Sequence, residues 1–262
     1  MTAPNTNAKG ASKLPKMVKA DIRQWLEEFV ISGKKLYHNE LDLQVDLAIY
    51  LRGLTGRYDD VQTEYFIDKK IAAKKNPDFK KRNVWNTDMS LDIVLRRGNE
   101  WFVIEMKYKT RALTKDEKKV LGKSFENRFG DPCDFNLKTH AASNLGMYDF
   151  WKDVCRIEIV KHLFSNAVGG IVLFITNEKR YWEGPGKDTD CEKFSMNEES
   201  KRELRQDNMS DNMSWKDGSR NCAKNSKRKS FTIEHTYNGE LKWNSGKGVP
   251  TDSIFQYLML QV

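Results

Sequence analysis

Residues 90–108, SLDIVLRRGNEWFVIEMKY, consist of two apolar runs divided by Gly98-Asn99. Strand-like runs split by a two-residue Gly/Asn pair are a strong short-range signal for a β-hairpin. Ile93, Val94 and Leu95, like Phe102, Val103 and Ile104, are apolar at consecutive positions, and therefore on both faces of each strand. Such a hairpin belongs inside a sheet that is covered on both sides. The chain is accordingly expected to be α/β, a mixed central sheet with an antiparallel hairpin flanked by helices.

The turn also sets a register. With Gly98 and Asn99 as its two residues, Arg97 lies opposite Glu100, Leu95 opposite Phe102, Ile93 opposite Ile104 and Asp92 opposite Glu105. Directly opposed residues have Cβ atoms about 4.5–5.5 Å apart, and like charges placed there repel. Lys107 follows Glu105 by the two-residue strand period, so one positive charge is expected over the same face. The second is expected to be a divalent metal, since one or two carboxylates plus water suit Mg²⁺, with Mn²⁺ as a substitute. In a chain with 31% charged residues an Asp followed by Glu-x-Lys arises by chance, so the strand context carries the inference. The competing reading is an exposed acid pair in salt bridges, which a buried hairpin makes costly.

Positive charge is clustered within the net +8. Lys69, Lys70, Lys74, Lys75, Lys80, Lys81 and Arg82 fall between two expected strands, and a second block, 220–230, includes Lys227, Arg228 and Lys229 and has no acid. Basic loops beside an acidic metal site suit a polyanion, so nucleic acid, foremost DNA, is the expected partner. No apolar run approaches the length of about 18 residues that a membrane span needs, and the polar N-terminus has no apolar signal core. An intracellular, cytoplasmic protein with no membrane partner is expected. Cys133, Cys155, Cys191 and Cys222 form no C-x-x-C pair, and the four histidines show no ligand spacing. Neither a phosphate-binding glycine loop nor a G-x-S-x-G elbow is present.

Along the chain, residues 1–19 read as a flexible basic tail and 20–262 as one domain with polar insertions at about 110–145 and 184–228. Helices are predicted over 20–36, from an Asn39 N-cap to Gly53 or Gly56, and over 146–165. The second carries Glu40 and Gln44 on one face and sends Leu43, Leu47, Ile49 and Leu51 into a core. Strands are predicted at 60–67, 168–176 and 254–262, with a hairpin of 231–237 and 240–243 about Asn238-Gly239. The second insertion reads as mobile or loosely helical.

The order of a helix with Glu40, a strand, Asp92, then Glu105-Met106-Lys107, a helix and a strand resembles the restriction-endonuclease-like core of the PD-(D/E)xK nuclease superfamily. The match spans roughly 39–178 plus the closing strand, with Leu91 where the superfamily name has proline. The resemblance implies that Asp92, Glu105 and the Met106 carbonyl bind the metal, that Lys107 orients or activates the attacking water, and that Glu40 assists. The segment YDFWKDVCRIE resembles a stretch in uncharacterised bacterial members. There Asp153, Arg156 and Glu158 either support the site from behind or form a core ion pair, the second being favoured. Gln44 is left between lining the site and facing solvent. The implied activity is a Mg²⁺-dependent endodeoxyribonuclease. Alternatives are an inactive nucleic-acid-binding subunit on the same fold, and an interaction protein whose acids meet Arg or Lys from elsewhere. A homodimer is compatible with either activity.

Overall fold

The computed structural model describes residues 12–32, 35–77, 84, 88–122, 136–140, 142–202, 212–220, 228–244 and 254–262. The elements in chain order are α1 (Leu14–Trp25) continuing into a π-helical turn (Leu26–Ile31), α2 (Glu40–Gly53), β1 (Asp60–Ile67), α3 (Lys69–Lys75), β2 (Met89–Arg97) and β3 (Glu100–Lys109). They continue with α4 (Lys115–Gly122), α5 (Ser143–Leu163), β4 (Ala167–Thr176), α6 (Arg180–Glu183), β5 (Trp243–Asn244) and β6 (Gln256–Gln261). The strands form one mixed sheet in the order β1-β2-β3-β4-β6-β5, in which only β3 and β4 run parallel.

Parallel neighbours need a crossover, and α5 lies within the connection from β3 to β4. It packs on one sheet face with Phe150, Trp151, Val154, Ile157 and Val160 fully buried; α1 and α2 cover the other with Val18, Ile22, Leu43 and Leu47. The two cores explain why β3 and β4 read as continuous apolar runs. Close approach of α5 to β4 requires glycine at position 170, where a Cβ would lie 2.6 Å from Ile157 and 3.0 Å from the Val103 carbonyl oxygen.

The hairpin register is the one the turn predicts, from Arg97↔Glu100 to Ile93↔Ile104, and Gly98 supplies the turn's left-handed φ of 58°. Asn39 caps α2, its side-chain oxygen accepting from Asp42 N–H at 2.9 Å. Ile49 departs from expectation. With Leu41 and Val45 it forms an exposed stripe, because the i, i+4, i+8 spacing puts all three opposite Leu43, Leu47 and Leu51.

Three regions differ more. The expected tail is helical from Leu14, because Leu14 and Val18 share a face with Ile22 and Trp25 and are buried with them. The 184–228 insertion, where described, is anchored in the core: Phe194, Met196, Met213 and Trp215 pack with Tyr148 and Phe231 against α5. The hairpin about Asn238-Gly239 does not form. Phe231 bridges Met213 and Trp243 pairs with Leu258, while side chains take the donors between them: Asn212 for Ile233 N–H and Glu158 for Glu234 N–H.

One carboxylate ties the α1 end to α2. Asp46 accepts from Trp25 Nε1 at 3.0 Å, Tyr37 hydroxyl at 2.7 Å and Lys35 Nζ at 2.5 Å. Burial pushes its carboxyl up, but the bonds from Lys35, Tyr37 and Trp25 outweigh it and hold the pKa below the ordinary value. Asp46→Ala should cost about 1–3 kcal/mol at neutral pH in urea unfolding. Because the folded pKa is depressed, this contribution is complete above the unfolded value of about 3.9 and is lost as pH falls through the folded one. The difference between wild type and variant should therefore narrow below pH 4, in scans of stability against pH. Gly170→Ala should destabilise by about 1–3 kcal/mol in the same assay, by forcing α5 off the sheet.

Candidate functional site

The site forms where the hairpin opens. Ile93↔Ile104 is the last pair between β2 and β3, whereas β3 stays paired with β4 as far as Lys109. Beyond Ile104 the outer edge of β3 has lost its neighbour, and buried backbone donors need acceptors. Two carboxylates take that role: Asp92 Oδ2 accepts from Met106 N–H at 2.6 Å, and Glu40 Oε2 accepts from Tyr108 N–H at 2.9 Å. Asp92 thus sits beside Glu105 as the count predicts, but its side chain, not its backbone, makes the join. Glu40 reaches β3 from the first turn of α2.

The face of β3 under α5 carries Val103, Glu105 and Lys107, since Phe102, Ile104, Met106 and Tyr108 occupy the opposite core. Lys107 Nζ donates to the Met106 carbonyl at 2.8 Å and lies 2.6 Å from Asp153 Oδ2 and 3.8 Å from Glu40 Oε1. Arg156, one turn after Asp153 on α5, donates to Asp153 Oδ1 at 3.0 Å and to the Ser90 carbonyl at 2.5 Å, and approaches Glu105 Oε1 to 3.7 Å. Glu105 is 0% exposed, and neither of its oxygens has a hydrogen-bond partner among the described residues.

Electrostatics divide these groups in two. Burial pushes Asp92 up to about 6, against the pull of Lys107 and with help from Asp153. Glu105 is driven well above its ordinary value by burial, and the charges of Asp92 and Asp153 add to the rise that Arg156 opposes. Asp153 goes the other way: burial raises it, but Lys107 and Arg156 outweigh that and keep it ionised. Burial works against the Lys107 ammonium, yet Asp153, Glu40, Asp92 and Glu105 hold it above its ordinary value. Among these groups Lys107 is therefore held as an ammonium, the fixed positive charge expected beside the two acids.

Other expected residues scatter. Gln44 is buried and lines the site, its amide donating to the Asp92 carbonyl at 2.6 Å and to Glu64 Oε1 at 2.9 Å. Asp153 and Arg156 are at the site; Glu158 is not. Its carboxylate accepts from Glu234 N–H and, at 2.8 Å, from the Tyr237 hydroxyl, so it anchors the 231–237 segment. Two residues further along a helix is the wrong face to join Arg156. The first basic stretch is partly the helix α3, not a loop. Lys69 and Lys70 begin it just after Ile67, which pairs with Met89 in β2, and Lys69 N–H donates to Asp88 Oδ1 at 3.0 Å, whereas the Lys75 ammonium turns to the Phe164 ring, 4.7 Å from its centroid. Lys74 is exposed on the same helix. Lys80, Lys81, Arg82 and Lys227 lie outside the described residues. Arg228 and Lys229 are fixed through their carbonyls to Trp215 and Tyr148.

Sequence reasoning missed Asp149, half-buried one turn before Asp153 and raised by burial and by the Asp153 charge. The i, i+4 spacing from Asp153 was the available signal. It missed Glu64 as well, for which apolar patterning offers no cue.

Among the described residues no group of three or more His, Cys, Asp or Glu side chains is placed to hold a metal ion. A cation would rest on Asp92, Glu105 and the Met106 carbonyl, completed by water, a donor set that suits Mg²⁺. The unpartnered oxygens of Glu105 fit that role. Comparison with protein-family models, curated proteins and solved structures finds no match to this chain.

Glu105→Gln tests whether this acid is kept for a ligand. A buried carboxylate without hydrogen bonds is destabilising, so the neutral amide should raise the melting temperature by about 2–4 °C, measured calorimetrically without added metal. A fall would instead mark Glu105 as the structural partner of Arg156.

Proposed function

We propose that this protein is a Mg²⁺-dependent nuclease that hydrolyses phosphodiester bonds in DNA, with a site of the PD-(D/E)xK kind. The observation that carries the reading is Glu105: fully buried, its oxygens without hydrogen-bond partners among the described residues, beside Asp92 and an ammonium fixed by Asp153. An acid held so expensively needs a cation to justify it.

In this reading Asp92 and Glu105 hold the ion together with the Met106 carbonyl. Bound Mg²⁺ would lower the pKa of water and neutralise charge on the phosphate. Lys107 supplies a permanent positive charge beside the Met106 carbonyl, where it orients an attacking water and offsets charge on a phosphoryl oxygen. Asp153 holds that ammonium in place, and Arg156 holds Asp153. Glu40 keeps the β3 edge satisfied and completes the negative wall of the opening. Lys69 and Lys70, with the basic segment at Arg228 and Lys229, supply contacts for the nucleic-acid backbone, which fix position rather than sequence.

A second reading has one observation in its favour. Arg156 approaches Glu105 to 3.7 Å, and with Lys107 and Asp153 it forms an alternating chain of charge. That network on its own would make a structural core without turnover.

Nicking of supercoiled plasmid separates the two. Wild type with Mg²⁺ should nick, Asp92→Ala and Lys107→Ala should lose about 10²-fold or more, and EDTA should abolish the reaction. Mg²⁺ at about ten times its dissociation constant should also stabilise wild type by about 1.4 kcal/mol and leave Asp92→Ala unchanged. Equal nicking by all three proteins, or none across DNA and RNA substrates with no thermal shift, would sink the nuclease reading.

A further inference from the structure

The two strands that lead to Asp92 turn over at one point. Along β1, Val61 packs in the α1/α2 core but Ile67 packs in the α5 core, although their positions have the same parity. Along β2, Ile93 and Leu95 belong to the α1/α2 core and Met89 and Leu91 to the α5 core. A regular strand places all residues of one parity on one face. The register does not slip, since Thr63↔Ile93 and Tyr65↔Leu91 keep the same count. What intervenes is Glu64 opposite Asp92, the one position in this stretch that is absent from the ladder.

Glu64 has φ of +51°, a left-handed conformation that is rare for a side chain of its kind and strained inside a strand. Its carboxylate and the Asp92 carbonyl are both held by the Gln44 amide, which α2 delivers from the core. With its carbonyl taken by Gln44, Asp92 is paired with neither neighbouring strand, and its carboxylate reaches Met106 N–H.

We infer that Glu64 is a positioning residue: its left-handed backbone, locked by Gln44, turns β1 and β2 over and lifts Asp92 out of the ladder toward Met106. This deepens the nuclease reading by naming what aims one of its metal-holding carboxylates. The inference rests on that reading only for its effect on activity.

The conformation, more than the carboxylate, is the device, so substitutions should sort by backbone preference. Glycine adopts φ near +50° freely, whereas a β-branched residue does not. Amide hydrogen exchange at Met106, followed by NMR, reports the Asp92 to Met106 bond directly. Glu64→Val should speed that exchange by about tenfold or more and lower kcat on plasmid at least in parallel, with KM little changed. Glu64→Gly should restore both. If Glu64→Val does not fold, Gln44→Met carries the test, because it removes the amide that holds Asp92 and should also speed Met106 exchange. Met106 exchange at the wild-type rate in the folded Glu64→Val or Gln44→Met protein overturns the inference, as does fast exchange in Glu64→Gly. A wild type that cuts nothing would end the nuclease reading, while Met106 exchange would still decide the role of Glu64.

Discussion

The buried ion network of Glu105, Arg156, Asp153 and Lys107 is the constraint on which the centre of this molecule depends. Four charged groups occupy the interface between β3 and α5, where the surrounding positions are Val103, Val154, Ile157 and Phe150. Removing a charge from water costs several kcal/mol, and mutual attraction repays this only when geometry is good. Repayment is uneven here. Asp153 is paired twice and stays ionised, whereas Glu105, among the described residues, meets only a distant guanidinium and is pushed toward its neutral form. The imbalance lies on the acid whose neighbour Asp92 is also raised, and that coincidence is what supports the proposed site over a simple salt bridge.

Architecture and site are coupled through α5. The same helix that seals one face of the sheet with Phe150, Trp151 and Val160 presents Asp149, Asp153 and Arg156 one turn apart toward β3. Its close seating depends on Gly170, so packing at β4 governs how near Arg156 comes to Glu105. On the opposite side α2 does similar work, with Leu43 and Leu47 in the core, Glu40 on the β3 edge and Gln44 against Asp92. The gap between β2 and β3 is thus closed by side chains from two helices, each anchored in a different core.

Much of this was legible in the residues. The Gly98-Asn99 turn gave the register of β2 and β3, Asn39 marked the start of α2, and the continuous apolar run at 168–176 marked a strand buried on both faces. These are local signals, set by turn chemistry, capping and periodicities of two and about 3.6 residues. Patterning misled wherever a few large residues mattered more than average polarity. The 184–228 segment is polar overall, yet Phe194, Met196, Met213 and Trp215 are enough to bind it to α5. The Asn238-Gly239 pair makes a turn without a hairpin, because Asn212 and Glu158 compete for the backbone donors before it.

The sequence by itself determined that Asp92, Glu105 and Lys107 would be neighbours, since a two-residue turn and the strand period leave little choice. Only the tertiary structure decided their chemical states. Whether Lys107 is a base or a fixed cation depends on Asp153, 46 residues away on a helix whose rotation no local pattern specifies. The left-handed twist at Glu64 was equally hidden, because Met89, Leu91, Ile93 and Leu95 alternate as one regular face would. Spacing fixes which side chains can meet along an element, but burial and charge come from everything folded against it, and those set the protonation and aim of the acids.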